Sequence, residues 1–264
     1  MLGEDDMEAL LDKGVPFNAL RKKIMGMMST YFSLNTEFTK SYLSVYSGKS
    51  KVFESTQCVN TEVFHTVDQE KKVQIRKKLG LPSGKFIIIT VGFLIKRKGF
   101  RQIFEVLSKL NIPYLYLVVG DYKINESHYL FNHAHEMTEL YNKGYELLKS
   151  KVLFTGPKEN VSEYLQAADI FLLNSKREGI PNALLEAMAC GIAPVIRNIK
   201  GINGFLVFRD KNAFVYNTPE EFNDRILDSF TSKKKRLCYG EKSSELVNKD
   251  STFEVLYEKL TRGN

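Results

Sequence analysis

Two carboxylates stand out in this sequence by their spacing. Glu178 and Glu186 have seven residues between them, within the stretch Asp169–Gly191, which reads DIFLLNSKREGIPNALLEAMACG. An apolar run ends at Asn174 and Ser175 and leads into a loop carrying Lys176, Arg177 and Glu178. Gly179 and Pro181 shape the turn, and Asn182 is expected to cap a helix that Gly191 closes. The start of such a helix offers free backbone N–H groups and the positive end of its dipole, which suits a phosphate. A carboxylate near that phosphate is repelled by it and would turn to hydroxyls. Glu186 could then accept both hydroxyls of a ribose, and Glu178 those of a sugar. The same spacing also fits a plain helix cap with one surface glutamate, and spacing alone leaves both open.

The elements that must position these residues are legible from about residue 86. Short apolar runs recur at Phe86–Phe93, Tyr114–Gly120, Val152–Phe154, Asp169–Leu173 and Pro194–Ile196. They are continuous and rich in β-branched residues, the habit of parallel strands buried on both faces. Helical patterns lie between them. Phe100–Leu110 places Phe100, Ile103, Phe104 and Leu107 on one stripe, and Glu126–Ser150 reads as a longer helix or helix pair with Gly144 as a break. Val161–Ala168, Asn182–Cys190 and Pro219–Phe230 follow, the last with Thr218 as N-cap and Pro219 at its first position. The alternation predicts an α/β fold, a Rossmann-like doubly wound parallel sheet. Before it, Pro16–Met28 and Glu37–Tyr46 look helical and Thr30–Leu34 and Lys51–Phe53 look like strands, one extra βα unit. Asp68–Leu79 is a charged amphipathic helix stopped by Gly80 and Pro82.

At 264 residues, 43 % apolar and 26 % charged, the chain can bury a substantial core. No run approaches 18 uninterrupted apolar residues, so none is expected to span a membrane. Met1–Asp6 carries Glu4, Asp5 and Asp6 where a signal peptide needs basic residues, so a cytoplasmic, reducing setting is expected. Cys58, Cys190 and Cys238 are odd in number and too scattered for a zinc or redox motif. The net charge of +7 points to an anionic partner. Lys233-Lys234-Lys235-Arg236 fits a solvated surface first and peripheral contact with an anionic membrane second. No aromatics interleave with it, so nucleic acid is not expected. Two further patterns are decoys. Gly80–Lys85 resembles a phosphate loop, but its glycines are one residue too close and it precedes a strand. His128, His133 and His135, with Glu126, Glu136 and Glu139, fit a solvated helix face, because positions two apart point to different sides.

Around Glu178 the chain resembles the retaining glycosyltransferases of family 4, which pair two Rossmann-like domains in the GT-B fold. Their Glu-x7-Glu signature, EGF/I-x4-5-LEAMACG-x-PV, reads EGIPNALLEAMACGIAPV here over Glu178–Val195. Val91-Gly92 with Lys98-Gly99 is similar to the family's VGR-L-x3-KG, Val119–Asp121 to its VGDG, and Phe154–Gly156 to its F-x-G loop. Ala168-Asp169 precedes the same strand, and Val59–His65 (VNTEVFH) resembles the stretch joining the two domains. The resemblance implies that residues 56–264 form the nucleotide-sugar-binding domain and that residues 1–55 are the final βα unit of an acceptor domain. It implies a UDP- or GDP-sugar donor, retention of anomeric configuration and no metal or other cofactor. Lys98, with Arg97 and Gly92 beside it, would hold the diphosphate, helped by the backbone of Gly179, Ile180, Pro181 and Asn182. Glu186 would grip the ribose, Glu178 would lie by the donor sugar, and Gly156–Lys158 would face the base.

The chain departs from the pattern at three places, one of them after the PV strand, where Lys200-Gly201 and Asn212-Ala213 stand in place of the family's glycine-rich spacing. The family's diphosphate-binding arginine is Phe93 here, leaving Lys96 or Arg97 to substitute or the phosphates more weakly held. Residues 1–55 also fall short of a whole acceptor domain, so a partner chain or a second copy is expected to bring the unknown acceptor. A nucleotide-sugar-binding module without catalysis, or another GT-B enzyme such as a nucleotide-sugar epimerase, is the alternative.

Overall fold

The structure, a computed structural model, describes residues 30–33, 36–45, 51–54, 57–123 and 131–262, with Lys23 and Met27. The helix expected over Pro16–Met28 and the start of the one expected from Glu126 fall outside the described residues. Near the N-terminus, β1 (Thr30–Ser33), α1 (Thr36–Val45) and β2 (Lys51–Glu54) form a strand–helix–strand unit with the two strands parallel. Tyr31 of β1 and Tyr42 of α1 stack with ring centroids 3.9 Å apart, fixing helix on strand.

The main unit begins with α2 (Gln69–Lys78), capped by Asp68, whose carboxylate accepts from the Lys71 amide at 2.7 Å. Six strands follow: β3 (Phe86–Val91), β4 (Tyr114–Val119), β5 (Val152–Gly156), β6 (Ile170–Leu173), β7 (Ala193–Arg197) and β8 (Phe214–Tyr216). All pairings are parallel and the order across the sheet is β5-β4-β3-β6-β7-β8. The chain therefore builds outward from β3 to one edge, returns beside β3 as β6, and builds outward to the other edge. Crossovers leave β3 and β6 on opposite faces, which opens a crevice at their carboxyl ends.

Both faces of the sheet are covered, as the continuous apolar runs require. Ile87 and Ile89 of β3 join one core, with α5 (Val161–Ala167) and α6 (Asn182–Ala189). Phe86 and Ile88 join the other, with α3 (Phe100–Ser108), α4 (Ala134–Leu148) and α7 (Pro219–Thr231). The expected stripe Phe100, Ile103, Phe104 and Leu107 is fully buried. At about 1.5–3 kcal/mol for each buried large apolar side chain, this double layer is the main stabilising term. A long α8 (Lys233–Asp250) then packs against α6, α7 and β7, and α9 (Phe253–Arg262) ends the described chain. Where α8 meets the end of α6, Gly240 lies so close that a Cβ there would come 2.0 Å from the Gly191 carbonyl oxygen.

Four expectations change. Gly144 does not break α4; it lets the helix pass against β5, since a Cβ would lie 2.6 Å from Phe154 Cζ. Asn182 is the first helical residue of α6 and Pro181 the cap position, with no side-chain cap hydrogen bond. Lys235 and Arg236 are not free surface charges. Lys235 pairs with Asp228 at 2.6 Å, and Arg236 donates to the Ser229 carbonyl and lies 5.0 Å over the Phe86 ring. Finally, α2 is barely amphipathic. Of its residues only Ile75 and Arg76 are buried, and Arg76 is there for an ion pair.

That pair locks the amino ends of β3 and β6. Asp169 Oδ2 accepts from Arg76 NH2 at 2.7 Å and from the Ile87 amide at 2.8 Å, and Oδ1 lies 3.1 Å from Lys72 Nζ. Burial alone would raise the Asp169 carboxyl, but Lys72 and Arg76 outweigh it and hold it below the usual carboxylate range. Its stabilising contribution is therefore complete above the ordinary Asp pKa and lost as pH falls through the lowered one. Asp169→Ala, which strands the buried Arg76 and the half-buried Lys72, is expected to cost about 3–5 kcal/mol in urea denaturation. A loss under about 1 kcal/mol would show that water replaces the carboxylate there.

Candidate functional site

The crevice between β3 and β6 is where the sequence-predicted residues converge. After β3 the chain turns through Gly92 into a single 3₁₀ turn at Lys96–Lys98, stopped by Gly99 in the left-handed conformation (φ 72°). After β6 comes the loop Asn174–Pro181 that leads into α6. The two segments are joined by the Lys176 amide, which donates to the Arg97 carbonyl at 3.1 Å. Lys98 Nζ then stands 2.6 Å from Glu178 Oε1, and Arg97 NH1 3.2 Å from Glu178 Oε2. Arg97 NH1 also donates to the Arg177 carbonyl at 2.9 Å, and Ser175 Oγ donates to Glu178 Oε1 at 2.6 Å. Gly92 adopts a φ of 142°, a conformation that favours glycine, and its Cα faces the Lys98 side chain, a Cβ there lying in ordinary contact with Cε at 3.7 Å.

Gly92 also continues a floor of close backbone contacts along the strand ends. A Cβ on Gly120 would lie 2.4 Å from the Gly92 carbonyl oxygen, and the Gly120 amide donates to the Gly156 carbonyl at 3.0 Å. Gly156 thereby belongs to the same rim. Lys158, two residues on, is exposed and makes no hydrogen bond or ion pair among the described residues. Of the two cations that could stand in for an arginine at Phe93, only Arg97 reaches Glu178. Lys96 is turned toward α4, its amide bonded to Glu136 and its ammonium 3.5 Å from Glu139. It lines a separate groove of about 440 Å3 between α3 and α4, which none of Lys98, Glu178 and Glu186 lines.

The two glutamates differ in electrostatics. Burial would raise Glu178, but the Lys98 ammonium, the Ser175 hydroxyl and Arg97 outweigh it and hold it below the usual carboxylate range. Glu186, in the second turn of α6, is pushed up by burial, and no residue among those described offers it a hydrogen bond or counter-ion. A partly buried carboxylate without a partner costs stability unless something else satisfies it. Pro181 and Ile180 are buried and Gly179 is half-buried, so the loop is a fixed platform, with Asn182 exposed at its edge. The Leu184 and Leu185 amides both fold back on the Pro181 carbonyl, at 3.0 and 3.3 Å, leaving the helix start with no side-chain cap.

Cys190 is buried one turn beyond Glu186, and burial together with the Glu186 charge pushes its thiol up to about 12, which makes it inert. Gly80 and Gly84 lie in the turn before β3, at the opposite end of the sheet from this site. His133 pairs with Glu136, and His128 and Glu126 lie outside the described residues. Among the described residues no group of three or more His, Cys, Asp and Glu is placed to hold a metal ion. No described helix is long and apolar enough to cross a membrane. Sequence reasoning missed the roles of Asn174 and Ser175; two polar residues ending an otherwise apolar strand were the available signal.

The fold and this site define a Rossmann-like domain with an anion-ready crevice at its switch point. The family model of the group 1 glycosyl transferases matches residues 71–245, more than half of the chain, and the chain belongs to that family. It is 27 % identical over 198 residues to the alpha-galactosylglucosyldiacylglycerol synthase of Streptococcus pneumoniae, covering 74 % of this chain and 50 % of that protein. It is 30 % identical over 167 residues to the Escherichia coli UDP-Gal:alpha-D-GlcNAc-diphosphoundecaprenol alpha-1,3-galactosyltransferase, covering 58 % and 40 %. The chain thus spans half or less of the length of these relatives. Among solved structures, HepE from Anabaena in complex with UDP superposes with a TM-score of 0.82 at 16 % identity, over 95 % of this chain and 68 % of that one. That likeness establishes the GT-B type of fold.

The opposed glutamates yield a prediction. A carboxyl raised by burial favours the folded state when protonated, so Glu186 costs stability above its raised pKa and nothing below the ordinary carboxylate pKa. Glu186→Gln is therefore expected to raise the thermal midpoint at pH 8, with the gain vanishing toward pH 4. A lower midpoint for the variant at pH 8 would mean that Glu186 is ion-paired in solution, and a gain that is the same at both pH values would mean that its charge is not what costs stability.

Proposed function

We propose that this chain forms the donor site of a glycosyltransferase that takes a sugar from UDP or GDP and transfers it with retention of configuration. The observation that carries the reading is the Lys98–Glu178–Arg97 cluster at the β3/β6 crossover, beside a helix start without a cap and a glutamate without a partner. Departure of a nucleoside diphosphate builds negative charge on phosphate oxygens. The Lys98 ammonium, the Arg97 guanidinium in place of an arginine at Phe93, and the first amides of α6 are fixed where that charge would develop, so no divalent ion is required. With Lys98 and Arg97 shared with the diphosphate, Ser175 still holds Glu178, whose carboxylate is then free to accept from hydroxyls of the donor sugar. Glu186 accepts from the ribose hydroxyls, and the Gly156–Lys158 loop meets the base. Retention follows from attack on the same face as the leaving phosphate, without a glycosyl–carboxylate intermediate.

Several neighbours support a UDP donor. The E. coli relative is named for UDP-Gal, and the Anabaena structures contain UDP, UDP with glucose, or UDP-glucose. The acceptor would be held by an acceptor domain across the crevice. Contact with an anionic membrane would use Lys233 and Lys234, which remain exposed.

Turnover of a panel of UDP- and GDP-sugars, with and without candidate acceptors, tests the reading. Lys98→Ala is expected to lower the rate about 10²–10³-fold. Glu178→Gln is expected to abolish transfer while UDP still binds. Nucleotide binding with no turnover of any donor would leave a binding module, and no binding of any nucleoside diphosphate would reject the reading.

A further inference from the structure

Lys98 and Glu178 lie on different crossovers, so their separation must be set by something that touches both. We propose that Asn174, with Tyr216 behind it, is a positioning residue that fixes where the Lys98 ammonium stands. This inference rests on Lys98 being the diphosphate ligand. Asn174 directly follows β6 and is 1 % exposed. Its amide is fully used: Nδ2 donates to the Gly99 carbonyl and to Gln102 Oε1, both at 2.9 Å, and Oδ1 accepts from the Tyr216 hydroxyl at 2.7 Å. All of the amide's donor capacity is therefore directed at the segment that carries Lys98.

Geometry makes that grip tight. Gly99 follows Lys98 directly, ends its turn and starts α3, in the left-handed conformation. A Cβ at Gly99 would lie 2.4 Å from the Asn174 carbonyl oxygen and 2.6 Å from Nδ2, so only glycine fits between Lys98 and this asparagine. The backbone pivot of Lys98 is thus pressed against Asn174 and hydrogen-bonded to it. Tyr216 fixes which way the amide faces. Its phenol is 1 % exposed and stacked on Phe222 at 4.3 Å, and burial keeps it protonated, hence a donor. The next residue, Ser175, does the corresponding work for the anion by donating to Glu178. Two consecutive buried polar residues at the end of one strand therefore hold the cation through its backbone and the anion through its carboxylate. A core position filled for packing alone would carry an apolar side chain, since a buried amide gains little unless every bond is made.

A double-mutant cycle on the 264-residue chain, read as UDP and GDP affinity by calorimetry, tests this. Asn174→Ala is expected to weaken binding about tenfold, and to add nothing in the Lys98→Ala background. Equal losses in both backgrounds, or no loss in either, overturn the inference, because Asn174 would then act on the fold and not through Lys98. Where Asn174→Ala does not fold, Tyr216→Phe keeps the ring, removes only the donor, and carries the same cycle with the same expected non-additivity. Lys98→Ala leaving UDP and GDP affinity unchanged would overturn the diphosphate role itself, and this inference with it.

Discussion

A parallel sheet covered on both faces has no free hydrogen-bonding groups except at its two ends and edges. Everything chemical in this protein follows from that constraint. Ile87 and Ile89 serve one core and Phe86 and Ile88 the other, so charged side chains collect where strands stop. At the amino ends the solution is structural, with Asp169 held by Arg76, Lys72 and the Ile87 amide. At the carboxyl ends it is Lys98, Arg97 and Glu178. The strand order places both clusters at β3 and β6, the one point where neighbouring crossovers diverge.

The two ends differ in what the charges face. Asp169 has a matched set of partners around it. Glu178 is also matched, but by a lysine at the tip of a short turn and an arginine that is half exposed, partners that an incoming anion can draw away. Glu186 is the reverse case, a carboxylate that the fold leaves without a partner. Two glutamates of the same short motif are thereby driven in opposite directions by surroundings that the motif does not contain. Opposed shifts of this kind, in neighbouring groups of one cleft, are what a functional site shows, and the proposed donor, with its phosphates and hydroxyls, would use both.

Much of this was legible in the residues. The apolar runs marked five of the six strands, and Gly92 with Lys98-Gly99, together with the Glu-x7-Glu segment, marked the loops that meet. Legibility failed where a local pattern had a long-range cause. Gly144 looked like a break because glycine is a poor helix former, but Phe154 needs the space. Asn182 looked like a cap by type, yet the bend at Pro181 comes one residue sooner. The lysine run at 233 looked like a solvated patch, but Asp228 and Phe86 claim two of its four charges. β8 was missed because three residues are too few to show a period.

What the sequence determined by itself is the alternation of buried strands and helices and the residue types at the loops, because hydrophobic period and helix caps are local properties. What only the tertiary structure decided is which cation serves the site, which glutamate is paired and what holds the pair in place. Arg97 and not Lys96 reaches Glu178, and Asn174 grips Gly99 across 75 positions of chain. The physical reason is that a charge takes its energy from whatever lies within a few ångströms, and in a parallel sheet those neighbours come from crossovers far apart in the chain.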